Sequence, residues 1–230
     1  MRLVTLAGAL PMRSTSWTFI GLALALLGPA LIALSWERAA TEPATPAASA
    51  PWLLAFVVLV AGVAAIAGFA EGLGFADIGF GRISWQSIPW AIGLTLFFTL
   101  AYGPAVTWLL AKTGLGGFEA GQSRLAALPS WYLALTIVIV AAGEEWLYRG
   151  YAVEQLAALT GNIYAAGALS LIAFGIAHLP LWGIGASLSA LLAGAIVTGL
   201  YIWRRDISFL ILAHVATDLC GLVIAPAGKG

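Results

Sequence analysis

Charge is what this chain has least of. Its 230 residues include ten Lys or Arg and ten Asp or Glu, 9% in all, with a formal net charge of zero. A soluble domain carries about 25%. So little charge cannot cover a water-facing surface, and with a mean hydropathy of +1.00 it predicts an integral membrane protein. There is no basic tract and no net positive charge, which excludes nucleic acid as a partner. A single cysteine, Cys220, excludes an intramolecular disulfide, and its apolar run makes it a small packed side chain. Alternating segments of about ten residues, the mark of an outer-membrane barrel, are missing. So are internal repeats, a separate soluble domain, and the HExxH signature of soluble metalloproteases.

What the chain has is long apolar runs. Hydrophobic residues make up 62%. At about 20 apolar residues per crossing, roughly seven spans are predicted: 17–36, 52–72, 88–112, 130–156, 163–179, 184–203 and 207–224. The fold expected is all-α, a polytopic transmembrane helix bundle. Residues 1–230 are read as one integral membrane domain. Tryptophans 17, 36, 52, 90, 131 and 203 fall near the ends of the runs, where an interfacial belt belongs. Arg2 and Arg13 ahead of the first run also fit a signal peptide, but the length of that run, Pro29 and Trp36 suit a retained helix. Residues 37–51 read as a Pro/Ala-rich linker, 71–87 as a Gly-rich loop, and 115–130 as a loop holding a short interfacial or re-entrant helix. Five basic residues on the N-terminal side (Arg2, Arg13, Arg82, Arg204, Arg205) against four on the other (Arg38, Lys112, Arg124, Lys229) lean toward a cytoplasmic N-terminus.

The scarce charge is not scattered. Glu144, Glu145 and Arg149 follow directly on the apolar run WYLALTIVIV. An ionised residue near a bilayer centre costs at least about 2.5–3.5 kcal/mol and often marks function. On a helix, Glu145 and Arg149 share a face at i and i+4 and are expected to pair, while Glu144 points about 140° away from Arg149. The only two histidines, His178 and His214, also sit in or at the ends of apolar runs, and Asp218 follows His214 at i+4. Spans four and five form a hairpin turning near 160, which puts Glu144 and His178 within about 3 Å in depth. By the same measure His214 lies several ångströms off that level. A carboxylate and two imidazoles suit two chemistries. One is a His/His/Glu metal site drawn from His178, His214 and Glu144, as zinc takes in metalloproteases. The other is metal-free hydrolysis, with Glu144 deprotonating water and the imidazoles stabilising the oxyanion.

Three motifs stand in order on successive helices: EEWLYR reads as EExxxR, FGIAH as FxxxH and HVATD as HxxxD. Together they resemble the CPBP family of intramembrane proteases, also called the Abi or CAAX-protease family, and in particular the type 2 CAAX prenyl endoprotease. The resemblance covers about 130–224 and makes that stretch the catalytic core. It implies that Glu144 activates water, that Glu145 and Arg149 support it, and that His178 and His214 complete the centre. The third motif often ends in Asn; here Asp218 takes its place, and an ionised Asp accepts hydrogen bonds but donates none. Both metal-dependent and metal-free accounts exist for the family, so zinc stays open.

The function expected is an intramembrane endopeptidase of a prokaryotic plasma membrane, acting within the lipid bilayer on a hydrophobic or lipid-anchored, CAAX-type peptide or protein. The alternative is a non-catalytic scaffold of the same family, a bacteriocin-immunity or interaction factor. A coupled transporter also uses intramembrane Glu and His, but it calls for an inverted repeat that the sequence lacks.

Overall fold

A computed structural model describes residues 15–39, 44–80 and 85–224. Four of the basic residues behind the orientation reading, at 2, 13, 82 and 229, lie outside them. Inside a bilayer no water is present to satisfy backbone N–H and C=O groups, so a spanning segment must bond to itself. Accordingly the described residues form helices, turns and loops, with no strand. Five helices are long and apolar enough to cross a membrane. The chain is an integral membrane protein of all-α class.

Helix α1 (Thr15–Ala39) is followed by α2 (Pro46–Ala70), α3 (Ser87–Thr113) and the short α4 (Glu119–Ala126). Then comes α5 (Ser130–Thr160), which carries the glutamates. The expected linker at 37–51 is shorter than its composition suggests. Thr45 caps α2 by accepting from the Ala48 amide at 3.2 Å, and Pro46, whose missing N–H costs nothing in a first turn, begins the helix. Gly161 in the left-handed conformation ends α5, and Asn162 Oδ1 accepts from the amides of Tyr164 and Ala165 to start the next helix. The loop at 71–87 holds a 3-10 turn, Phe75–Ile78.

The apolar helix Ile163–Arg204 is 42 residues long. Straight, it would span about 63 Å, twice a hydrocarbon core. It is not straight. Gly183 has φ 76° and ψ −178°, a non-helical conformation. Around it, Gly167 lies against Thr198 and Ile202, Gly175 against Leu191, and Gly194 against Leu171 and Phe174. Those pairings run antiparallel, so the stretch is a hairpin of two helices, α6 (163–182) and α7 (184–204). This matches the two separate spans read from the sequence. The last helix, α8 (Ser208–Ile224), is shorter than the other spans.

Lipid tails are as apolar as leucine, so helices in a membrane associate by close packing, often at small residues. Here α1 packs on α2 and on the α6–α7 hairpin, and α5 packs on α2 and α8. Gly28 meets Leu59, and Gly143 meets Phe56. The core at the α5–α7–α8 junction buries Leu147, Tyr151, Tyr201, Phe209 and Leu210 almost completely.

The bend at Gly183 gives a test. A side chain there would enter open space, so only the backbone resists it. That conformation is essentially restricted to glycine and costs other residues about 1–3 kcal/mol. Gly183→Ala should lower the melting temperature in detergent. An unchanged melting temperature would contradict the hairpin.

Candidate functional site

Three helices bring the sequence's polar residues together. From α5 come Glu144, Glu145 and Arg149; from α6, His178; from α8, His214 and Asp218. All six line one cavity of about 940 Å³. Among the described residues they are its only charged or imidazole side chains, and the remaining lining is mostly apolar. The cavity occupies one half of the bundle. It touches α1 only from Pro29 to Trp36, near that helix's end, and α2 only from Ser49 to Phe56, near its start. Helix α4 lies at that end, with Phe118, Gln122, Leu125 and Leu128 on the lining. Arg124 is ion-paired to Glu37 at the end of α1, and Phe118 meets Trp182 edge-on.

The expected pair is present. Arg149 Nη1 donates to Glu145 Oε1 at 3.1 Å, and both side chains are 1% exposed. Arg149 is held on two further sides. Its Nε donates to Thr198 Oγ1 at 3.4 Å, and its guanidinium carbon lies 4.2 Å from the centre of the Phe174 ring. The same carboxylate oxygen, Glu145 Oε1, also lies 2.9 Å from His214 Nδ1. Ionised Glu can only accept, so the imidazole donates from Nδ1. His214 Nε2 faces Asp218 Oδ2 at 3.6 Å, beyond hydrogen-bond length. His214 reaches Glu145, across 69 residues of sequence, and Asp218 is only its looser neighbour.

Glu144 is half-buried on the cavity wall and makes no hydrogen bond or ion pair among the described residues. His178 is fixed differently. Its Nδ1 lies 2.8 Å from the carbonyl oxygen of Phe174, which can only accept, so Nδ1 carries the proton and donates. In the neutral ring that leaves a lone pair on Nε2.

The helix wheel used on the sequence assumes an unbroken α-helix. In fact α5 passes through a π-helical turn, Trp146–Ala152, that includes Arg149. Such turns re-phase a helix and often occur at functional sites. Sequence reasoning also missed Thr198, and it took Phe174 only as a motif residue rather than as a platform beneath Arg149.

Among the described residues, no three His, Cys, Asp or Glu side chains are grouped so that they could hold a metal ion. The trio of His178, His214 and Glu144 is not assembled as a ligand set, and both ring nitrogens of His214 face carboxylates. The donor arrangement does not fit a bound ion.

The two glutamates should therefore behave differently on mutation. Glu145→Gln leaves Arg149 buried without a countercharge, a change that costs about 3–5 kcal/mol in comparable buried pairs. Glu144→Gln breaks no contact. Thermal melts of the two purified variants check this, and equal losses would contradict the separation.

Residues 126–220 match the model of a family described as Type II CAAX prenyl endopeptidase Rce1-like. No curated protein and no solved structure matches the chain. The matched stretch runs from just before α5 into α8 and contains all six charged or imidazole side chains of the cavity. Through that stretch the chain is similar to the CPBP, or CAAX-protease, family of intramembrane endopeptidases.

Proposed function

We propose that the chain hydrolyses a peptide bond of a membrane-associated, CAAX-type protein substrate, and that Glu144 is the base that activates water. The observation that carries this reading is the isolation of Glu144. Glu145 is held by Arg149 and His214, and Asp218 faces His214, whereas Glu144 on the same cavity has no hydrogen bond or ion pair among the described residues. A general base needs that freedom, and it needs a position within reach of the proton it removes.

The remaining residues take roles from their contacts. His178, with Nδ1 committed to Phe174, turns Nε2 to a water and orients it beside Glu144. The water oxygen attacks the carbonyl carbon as Glu144 takes one of its protons. The oxyanion that forms is stabilised by the N–H and charge of His214, which Glu145 holds in place. Glu144 then returns the proton to the amide nitrogen, and the C–N bond breaks to give a carboxylic acid and an amine, the acid proton passing to the amine to leave a carboxylate and an ammonium. Arg149 keeps Glu145 ionised and away from the reaction. The bulk of the cavity takes the apolar part of the substrate. No step runs through a metal.

General-base catalysis contributes about 10²–10⁴-fold. Glu144→Gln should lose that much turnover in a cleavage assay on a membrane-anchored peptide, with its fold intact by melting. Retention of a tenth or more of wild-type turnover would sink the assignment.

Asp218 gives an independent test. Asparagine offers an N–H where ionised aspartate offers none. Asp218→Asn should therefore keep or raise activity, and a strong chelator should leave the wild type active, with elemental analysis showing no retained metal. A fall of about 10–100-fold on Asp218→Asn, the size usual for a partner of a metal ligand, together with chelator sensitivity, would replace the metal-free account.

A further inference from the structure

Near the α7–α8 turn, Arg204 is a cation with no anionic partner among the described residues. Arg204 closes α7, and its guanidinium carbon lies 4.7 Å from the centre of the Trp90 ring, 5.5 Å from Phe209 and 5.8 Å from Trp203. Trp90 and Trp203 meet edge to face at 5.4 Å. No hydrogen bond or ion pair reaches Arg204 from the described residues, and its shielded Nε has no acceptor. The nearby carboxylates are committed elsewhere. Asp206 accepts from Ser87 Oγ at 2.7 Å and from the Ser208 amide at 2.9 Å. Glu154 holds Arg205 and accepts from Tyr201 at 2.5 Å.

Aromatic faces fix the plane of a guanidinium and leave its N–H edge for an acceptor, and that edge matches phosphate with two parallel hydrogen bonds. Trp203 is 64% exposed, and Trp85, at the same end, is 76% exposed. Exposed tryptophans at helix ends are what the headgroup layer of a membrane selects. We propose that Arg204, framed by Trp90 and Trp203, binds an anionic phosphate group at this membrane surface, none of the three being among the residues that line the peptidase cavity. The shared chemistry is a phosphate oxyanion, carried by a lipid headgroup or by free phosphate.

The test uses the full chain purified in neutral detergent. Phosphatidylglycerol is added, and its retention is read by native mass spectrometry alongside the melting temperature. The wild type should retain the lipid and melt higher with it. Arg204→Gln should bind about tenfold more weakly or worse, the loss expected for a hydrogen bond to a charged group, yet melt like the wild type when no lipid is added. Arg204→Lys keeps the charge but not the planar fork and should fall between; it carries the test if Arg204→Gln does not fold. Inorganic phosphate alone is the second probe. A phosphate-induced shift that Arg204→Gln abolishes supports the site and admits a soluble source. Lipid binding without a phosphate shift supports the site and assigns the lipid. Equal binding of both probes by wild type and Arg204→Gln overturns the proposal, as does full affinity in Arg204→Lys for the role of the fork.

Discussion

A carboxylate buried in a membrane protein must find its countercharge inside the fold, and Glu145 finds two partners at one oxygen. Arg149 lies on its own helix at 3.1 Å and His214 on α8 at 2.9 Å. Breaking a buried pair by removing one member leaves an uncompensated charge, so the arrangement is strongly held. It ties α5 to α8 at the level of the cavity and sets the orientation of the His214 ring. It also commits the buried arginine of the site to Glu145. The second glutamate of the pair is thereby left without a partner, which is the condition for it to act on something else.

The chain divides in an instructive way around that centre. Every charged or imidazole side chain on the cavity comes from α5, α6 or α8, inside the stretch that matches the CAAX-protease family. Much of the facing wall comes from α1, α2, α3 and α4, ahead of that stretch, and it is apolar and aromatic, with Trp36, Trp52 and Trp108 among its residues. The charged groups of the cavity and much of its apolar wall are thus encoded in different parts of the sequence.

Much of this is legible in the sequence alone. Apolar runs of membrane length gave the helices, because the bilayer allows a spanning segment little else. Even the hairpin at Gly183 followed from the break between the runs 163–179 and 184–203. The Glu145–Arg149 pair followed from spacing on one helix. What could not be read was anything set by the tilt and register of one helix against another. The bond from His214 to Glu145 bridges 69 residues, and its sequence proxy, the i+4 neighbour Asp218, proved to be the weaker contact. The π-helical turn at Trp146–Ala152 shifts the phase that a regular helix wheel assumes, and no residue in WLYRGYA announces it. Thr45 and Pro46 did carry a start signal for α2, but it was submerged in a linker-like composition.

The central claim is that the free carboxylate of Glu144 and the Nε2 of His178 address the same bond. An experimental structure of the Glu144→Gln protein with an uncleaved membrane-anchored peptide measures this directly. The account predicts the scissile carbonyl inside the cavity, with residue 144 and His178 Nε2 both within reach of one water, so about 3 Å from that water's oxygen. A peptide seated outside the cavity, or a carbonyl reached by only one of the two side chains, would contradict it.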